Sequence, residues 1–259
     1  MSPQDIDLRR AFMQVTGNFE MEGPLDGCFL CRDTDPAGNS LNGHTHFFRH
    51  WYLARTLAKT LRDVIGNDAA PLRILAAPSS IGCEANGLAA MAIAGGLDQD
   101  AGFSIDAFDI SPLFTRLARA KAYPGEMADI LEPQWRRMLF PETSQALVPV
   151  LDTVGAHLNF LDAQPFETFR AQSHYHVAMV NNLFLYMNAD QLAAAMETLR
   201  AVRPDMIVFG FDKGIGRESG VRVPGYVDIG AHPVWRDTAL ANDNLLRPRY
   251  GMWVRQPTV

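Results

Sequence analysis

Residues 72–96 read LRILAAPSSIGCEANGLAAMAIAGG, and this stretch decides the fold of the chain. Its first part is a short apolar run that lies between Pro71 and the turn residues PSS, which is typical of a buried strand. Its second part is rich in alanine and ends at paired glycines, a composition that predicts a helix and its end. The stretch therefore predicts a strand, a turn and a helix in succession.

The next segment of the chain repeats this pattern. Residues 103–109 (FSIDAFD) predict a strand, and residues 110–123 (ISPLFTRLARAKAY) predict a helix. Ser111 is placed to cap that helix, and Pro112 takes the first helical position, where its missing N–H costs nothing. Two successive strand–helix units imply a parallel sheet.

A third unit lies further along the chain. Residues 176–187 (HVAMVNNLFLYM) predict a strand, and residues 188–202 predict a helix in which Asn188 and Gln191 have capping-box spacing. The buried stripe of that helix is predicted to be Leu192, Met196 and Leu199. Residues 204–212 (PDMIVFGFD) supply the next strand, so the pattern indicates one doubly wound α/β domain.

The first 65 residues are less regular. A short amphipathic helix is predicted over residues 3–17, and the Gly, Pro, Asp and Asn of residues 23–43 indicate a loop. Apolar residues then recur at helical spacing over 46–65, with Thr45 able to cap the helix. We therefore expect an N-terminal arm over residues 1–44 and a large domain over residues 45–259.

Composition limits the classes of function. The chain has 259 residues, of which 47% are hydrophobic, and its formal net charge is −6. A chain of that charge gains no counterion-release affinity for a phosphate backbone, so nucleic acid is not an expected partner. No apolar run reaches the roughly 20 residues of a membrane span. Three cysteines and no secretory signal favour a cytoplasmic location.

Residues 28–50 allow a second interpretation. Cys28, Cys31, His44 and His50 have the C-x2-C-x12-H-x5-H spacing of a nucleic-acid-reading zinc finger. Asp35, however, stands where a finger has an aromatic core residue, and the basic phosphate-contacting face is missing. Ordinary core or surface residues explain the four side chains more simply, so we expect no metal site.

Candidate ligand-binding residues follow the strands, because open α/β sheets bind ligands at the carboxyl ends of their strands. Residues 77–87 lack the G-x-G-x-x-G of a dinucleotide site and the G-K-[ST] of a phosphate loop. Asp109 ends the second strand, where a carboxylate can accept hydrogen bonds from both hydroxyls of a ribose. Taken alone, it is at least as often a helix cap or a turn former.

Several of these segments together resemble one family. THFFRH (residues 45–50), the stretch from Ile74 to Ile93, IDAFDISPLFTRLARAKAYP, LNFLDAQ and VNNLFLYMNADQL occur in the order of the CheR-type S-adenosylmethionine-dependent methyltransferases, the chemotaxis-receptor glutamate O-methyltransferases. The resemblance covers residues 45–211 and resumes faintly at RYGMWVRQP. It implies a Rossmann-like class I methyltransferase fold, a mostly parallel sheet flanked by helices, with S-adenosylmethionine as cofactor.

The resemblance also implies site residues. Arg49 and Tyr186 are the expected catalytic residues, beside the reacting centre. The expected cofactor-binding residues are Thr45, Arg49, Ala77, Glu84, Asp109, Asn159, Phe160, Asn181 and Asn182. Their chemistry agrees with the cofactor, because its ribose suits Asp109, its amino group suits Glu84 and its carboxylate suits Arg49.

Several departures from the family pattern concern the acceptor. Asn181 stands where the family has an arginine, and most of the family's helical N-terminal domain is absent from the sequence. The segment at 125–155 is short for the receptor-tethering subdomain, and residues 213–247 form a C-terminal insertion with no recognised motif. We expect O-methylation of a carboxylate. A small-molecule O-methyltransferase and a non-catalytic cofactor-binding module remain alternatives.

Overall fold

The computed structural model describes residues 2–17, 29–35, 38–65, 71–99, 102–143, 145–210, 223–246 and 250–256. Its contacts divide the chain into two compact units. Unit 1 consists of Met1–Trp51, Ser79–Ile93 and Ala107–Gln164, and unit 2 consists of Tyr52–Pro78, Ala94–Asp106 and Pro165–Val259.

The strands are β1 (Phe29–Thr34), β2 (Ser40–Thr45), β3 (Leu72–Ala76), β4 (Phe103–Ala107), β5 (Ala122–Pro124), β6 (Leu147–Pro149), β7 (Leu158–Phe160), β8 (Val177–Met179), β9 (Met206–Gly210), β10 (Tyr226–Asp228) and β11 (Tyr250–Arg255). The helices are α1 (Pro3–Thr16), α2 (Trp51–Ile65), α3 (Cys83–Ala94), α4 (Pro112–Ala120), α5 (Gly125–Asp129), α6 (Pro133–Leu139), α7 (Asp152–Gly155), α8 (Ala189–Val202) and α9 (Ala239–Asn242). Within the described ranges, short 3-10 helices lie at Phe166–Thr168, Leu183–Tyr186 and Ile229–Ala231.

Seven strands form the main sheet, in the order β10-β11-β9-β8-β3-β4-β7. β8 pairs in parallel with both β3 and β9, and β11 is antiparallel to its neighbours β9 and β10. β8 is buried at every position, as are the first four residues of β9, and such continuous apolar runs are typical of parallel strands covered on both faces. The predicted fold class is therefore confirmed.

The helix caps follow the sequence closely. The Ser111 side chain accepts a hydrogen bond from the Phe114 N–H at the start of α4, and Asn188 and Gln191 form the predicted capping box of α8. The stripe predicted for α8 is partly wrong, because Leu192 and Met196 are only half-buried. The fully buried residues of α8 are Ala195, Thr198, Leu199 and Val202.

Part of the predicted loop at 23–43 is instead a β-hairpin. β1 and β2 pair antiparallel, with Phe29 opposite Thr45 and Thr34 opposite Ser40. The turn-forming residues act only locally, where the Asp35 side chain accepts hydrogen bonds from the backbone and side chain of Asn39. The other part of that prediction, residues 23–28, lies outside the described residues.

The predicted start of the second helix is also wrong. Thr45 ends β2 rather than capping a helix, residues 46–50 form turns, and α2 begins at Trp51. The strand predicted over residues 176–187 is shorter in the structure than predicted. It ends at Met179, because Asn182 adopts a left-handed conformation (φ 58°) and a 3-10 helix follows.

The two segments that depart from the family pattern are described in part. Between β5 and β6, which pair as a two-stranded antiparallel sheet, lie the short helices α5 and α6. In the C-terminal insertion, the described residues form β10, a 3-10 helix and α9. Among the described residues, no helix is both long enough and apolar enough to cross a bilayer.

Helix α3 approaches the backbone of Phe47 very closely at Gly87. A Cβ added at Gly87 would lie 1.5 Å from the Phe47 carbonyl oxygen, so the helix and this backbone cannot both keep their positions. We expect Gly87→Ala to destabilise the protein by about 2 kcal/mol, the cost typical of overpacking a core. Thermal unfolding should show a melting temperature lowered by about 4–8 °C.

The matched control for this substitution is Gly155→Ala. The nearest atom to a Cβ at Gly155 is Lys121 Cδ at 3.5 Å, which is an ordinary contact distance. This variant should melt within about 1–2 °C of the wild type, because it creates no overlap. Equal melting temperatures for Gly87→Ala and Gly155→Ala would show that the close approach at Phe47 is not a constraint.

Candidate functional site

The carboxylate of Asp109 joins two loops of unit 1. One loop follows β3 and the other follows β4. The backbone N–H of Ser80 donates to Asp109 Oδ2 at 2.8 Å, and that of Ser111 donates to Oδ1 at 3.0 Å. Asp109 is only 5% exposed. The site prediction therefore falls on a buried, hydrogen-bonded carboxylate at the carboxyl end of a strand.

Burial raises the pKa of Asp109 to about 6. Desolvation is the largest cause, because a charged carboxylate loses water that three backbone N–H groups replace only in part. Those N–H groups, from Ser111, Ser80 and Ile110, lower the pKa, and the nearby Asp33 carboxylate raises it. Asp109 is thus mostly ionised at pH 7.5 and mostly protonated at pH 5.

This pKa predicts a pH-dependent affinity for a ligand whose hydroxyls donate to Asp109. Only the ionised carboxylate accepts at both oxygens, so binding should weaken below about pH 6 by up to tenfold per pH unit. Calorimetric titration with S-adenosylhomocysteine should show a Kd about tenfold higher at pH 5 than at pH 7.5. An affinity that is constant over this range would contradict the assignment.

Stability has the opposite pH dependence. The folded-state pKa of Asp109 lies above its ordinary value, so protonation of Asp109 stabilises the folded state. This stabilisation is complete below about pH 4 and is lost as the pH rises through about 6. Asp109→Asn is the control for both measurements, since it cannot titrate. Any pH dependence that remains in this variant belongs to other groups.

Arg49 and Glu84 form a half-buried ion pair in unit 1. Arg49 Nη1 lies 3.4 Å from Glu84 Oε1, and the side chains are 17% and 20% exposed. His50 Nε2 lies 3.7 Å from the other oxygen of Glu84. Thr45 ends β2 and does not cap a helix, but the structure does bring the predicted residues Arg49 and Glu84 together.

Three buried hydroxyl groups of unit 1 are available to a ligand. Thr45 Oγ1, Ser79 Oγ and Ser80 Oγ are buried and make no hydrogen bond within the described part of the chain. A buried polar atom without a partner costs free energy, and a bound polar ligand removes that cost. Together with Asp109, Arg49 and Glu84, these hydroxyls suit a ligand that carries a diol and a zwitterionic amino acid group.

The turn after β3 is held by long-range contacts. Gly82 has φ +87°, and a Cβ there would lie 2.9 Å from Ala118 Cβ and 3.0 Å from the Tyr123 hydroxyl. The Tyr123 O–H donates to the Ile81 carbonyl at 2.8 Å and accepts from Asn86 Nδ2 at 2.9 Å. These contacts fix Ser79 and Ser80 beside Asp109.

The expected cofactor-binding residues Asn159 and Phe160 are neighbours in β7 and differ in their exposure. Asn159 is exposed, while Phe160 is 6% exposed and its ring lies against the turn at Gly82. The Phe160 carbonyl accepts a hydrogen bond from Arg119 Nε at 2.9 Å. Their roles in binding remain predictions.

The remaining predicted residues belong to unit 2. Ala77 follows β3, is 1% exposed and donates its N–H to Met179 at 3.0 Å. Asn181 is 8% exposed, and its Oδ1 has no hydrogen-bond partner among the described residues. Asn182 is half-buried in a left-handed conformation. The backbone of Tyr186 ends a 3-10 helix, but its side chain lies outside the described residues.

The zinc alternative needs four side chains around one ion, and the hairpin register separates two of them. Cys31 lies opposite Gly43, whereas His44 lies opposite Leu30. Since successive side chains of a strand point to opposite faces, Cys31 and His44 point to opposite faces of the hairpin. Cys31 is buried, and Cys28 lies outside the described residues.

A different set of ligand-type side chains lies in unit 2, before β8 and β9. The groups of His174, His176 and Asp205 come within 4.8 Å of one another. His176 Nδ1, however, accepts the Arg73 backbone N–H at 3.0 Å, and Asp205 pairs with Arg255 at 2.6 Å. These contacts indicate that the cluster is a structural network at the amino ends of the strands. The candidate functional site therefore remains the one around Asp109.

A mostly parallel sheet with a buried carboxylate directly after β4 is typical of Rossmann-like folds that bind a nucleotide or a related cofactor. A family model then fixes the family. The chain belongs to the CheR methyltransferases, because the model of their S-adenosylmethionine-binding domain matches residues 43–209. The matched domain is an S-adenosylmethionine-binding domain, so S-adenosylmethionine is the cofactor.

Solved structures with a similar fold have low sequence identity to this chain. An S-adenosylmethionine-dependent methyltransferase from Thiobacillus denitrificans is 17% identical over 61% of this chain and 47% of its own, with a TM-score of 0.33. Magnesium protoporphyrin IX methyltransferase from Synechocystis PCC 6803 is 14% identical over 64% of this chain and 57% of its own, with a TM-score of 0.36. The alignment thus spans about half of each of these proteins. No curated protein sequence matches the chain.

Proposed function

We propose that the chain transfers a methyl group from S-adenosylmethionine to a carboxylate oxygen of its acceptor. The observation that carries the proposal is the half-buried Arg49–Glu84 pair, with 3.4 Å between Nη1 and Oε1. A guanidinium has five N–H donors in a planar fork, and one carboxylate engages at most two of them. The guanidinium of Arg49 thus has the donor geometry that suits a carboxylate, and its ion pair with Glu84 restricts the orientation of the side chain.

A carboxylate acceptor also suits the chemistry that this site can perform. S-adenosylmethionine supplies a methyl group on a sulfonium, which an acceptor oxygen displaces in line. A carboxylate is already ionised at pH 7, so the protein needs no general base and contributes alignment and exclusion of water. Phe47 and Phe48 directly precede Arg49 in the sequence, are 2% and 4% exposed, and make this segment apolar.

Arg49 has two possible partners within this proposal. It holds either the carboxylate of the acceptor or that of the cofactor's amino acid group, whose amino group is matched by Glu84. In both cases the positive charge of Arg49 orients a reacting molecule, so both assign Arg49 to the site. The acceptor that the family resemblance implies is a protein glutamate, and a small-molecule carboxylate is the alternative.

One observation favours a second candidate function, methylation of a hydroxyl. His50 Nε2 lies 3.7 Å from Glu84 Oε2, and a histidine oriented by a carboxylate is a common general base. A hydroxyl acceptor needs such a base, because it is not ionised at pH 7. The chemical stability of the product separates the two candidates.

The test uses S-adenosylmethionine labelled in its methyl group, with a cell extract and a set of small carboxylic acids as acceptors. A methyl ester releases its label as methanol in mild base, whereas methyl groups on nitrogen or on an ordinary hydroxyl oxygen are retained. Base-labile label is expected. Base-stable label would overturn the carboxylate proposal, and binding of the cofactor without any transfer would indicate a non-catalytic binding module.

A further inference from the structure

One face of the β1–β2 hairpin lies against both loops that Asp109 joins. In the antiparallel register, Asp33 is opposite Leu41 and Cys31 is opposite Gly43. Alternation along the two strands therefore places Asp33, Gly43 and Thr45 on the same face. This face contains Thr45, whose buried hydroxyl has no hydrogen-bond partner among the described residues.

The hairpin makes a separate contact with each of the two serines that hold Asp109. Ser111 Oγ donates a hydrogen bond to Asp33 Oδ2 at 2.5 Å. A Cβ added at Gly43 would lie 3.3 Å from Ser80 Oγ, so the backbone of β2 runs directly beside Ser80. Ser80 and Ser111 are also the residues whose backbone N–H groups donate to the two oxygens of Asp109.

We propose that Asp33 is a positioning residue for the cofactor and acts through Ser111 on Asp109. By accepting the hydroxyl hydrogen of Ser111, Asp33 fixes the residue whose N–H orients the Asp109 carboxylate toward the ribose hydroxyls. Asp33 precedes the segment that the family model matches, which begins at residue 43.

The electrostatic surroundings of Asp109 support this role. Among the described residues, Asp33 is the charged side chain that acts on Asp109, and it raises the pKa of that carboxyl. The backbone N–H groups of Ser80, Ile110 and Ser111, in the loop after β3 and at the start of α4, lower the pKa of Asp109. Asp33 therefore influences both the orientation of Asp109 and the pH at which it becomes ionised.

Two variants of the full chain separate these two effects in calorimetric titrations with S-adenosylhomocysteine, whose thioether carries no charge. Asp33→Ala loses the hydrogen bond to Ser111, and its Kd at pH 7.5 should rise about tenfold. Asp33→Asn keeps an oxygen that accepts the Ser111 hydroxyl but loses the charge. The pH at which its affinity falls should shift downward relative to the wild type, so that it binds more tightly at pH 5.5, because Asp109 ionises at a lower pH.

Asp152→Asn is the matched control, since it makes the same change of charge at an exposed position of unit 1. It should bind like the wild type at both pH values. Melting curves of each variant show whether it is folded, and Asp33→Asn keeps the proposal testable if Asp33→Ala unfolds. An unchanged pH profile in Asp33→Asn, or an unchanged affinity in folded Asp33→Ala, would overturn the proposal.

This inference rests on Asp109 as the ribose-binding residue, and the same titration of Asp109→Asn tests that premise. If Asp109→Asn binds like the wild type, the assigned cofactor site is wrong. If Asp109→Asn loses binding while both Asp33 variants keep the wild-type affinity and pH profile, the site stands and only the role of Asp33 fails.

Discussion

Asp109→Asn should raise the Kd for S-adenosylhomocysteine at least about a hundredfold at pH 7.5. Two ribose hydroxyls that donate to an ionised carboxylate form charge-assisted hydrogen bonds, each worth about 1.5–3 kcal/mol. An asparagine has one acceptor oxygen, and its amide nitrogen would face a donor N–H or a donor hydroxyl. Isothermal titration calorimetry of the variant and the wild type measures the difference directly.

Stability should change much less than affinity in this variant. Asparagine removes the cost of burying a charge at Asp109, which burial makes considerable because it raises the pKa to about 6. It also leaves either the Ser80 or the Ser111 N–H without its acceptor. These two effects oppose each other. A melting temperature within about 5 °C of the wild type would show that lost affinity is not lost folding.

The same titration of Asp152→Asn gives the control for Asp109, because that aspartate is exposed. We expect an unchanged Kd there. A Kd for Asp109→Asn within threefold of the wild type would show that the buried carboxylate only joins the two loops. Its hydrogen bonds to Ser80 and Ser111 would then be its whole function.

The central sheet could be predicted because its strands and helices are encoded locally. Residues 72–96 and 103–123 carry apolar runs, caps and glycine endings that agree with one another, so local and global preferences coincide. The hairpin could not be predicted in this way. Its strands are half-exposed and the residues around Asp35 favour turns, so pairing between β1 and β2 decides the structure.

The residues of the candidate site also differ in how far the sequence could predict them. Asp109 was predicted because it ends a strand and also matches the family pattern, and Glu84 because the family pattern includes it. The roles of Ser80 and Ser111 were missed, since each depends on a backbone N–H that a long-range turn brings to Asp109. Buried serines after a strand are a weak signal of this kind. Asp33 gave no signal, because its contact with Ser111 spans 78 residues.

Arg49→Lys should lower kcat/KM for methyl transfer about a hundredfold, with little change in stability. Lysine keeps the positive charge, and so it keeps most of the attraction to Glu84, which lies 3.4 Å from the guanidinium. It loses the planar fork that holds a carboxylate through two parallel N–H bonds and thereby aligns it with the transferable methyl. Misalignment of the reacting atoms is costly in an in-line displacement.

The base-labile label described above measures this rate, with a melting curve for each variant. Arg55→Lys is the matched control, because Arg55 is an exposed arginine of α2 and the same change there should leave the rate unaltered. Arg49→Ala should lose still more activity, since it leaves Glu84 without the guanidinium that balances its charge.

The dependence on acceptor and cofactor concentrations distinguishes the two possible partners of Arg49. If Arg49 holds the acceptor carboxylate, Arg49→Lys should raise the KM for the acceptor while the Kd for S-adenosylhomocysteine stays near the wild-type value. If it holds the amino acid carboxylate of the cofactor, that Kd should rise instead. Full activity in Arg49→Ala would remove Arg49 from the site, because neither carboxylate could then depend on its charge.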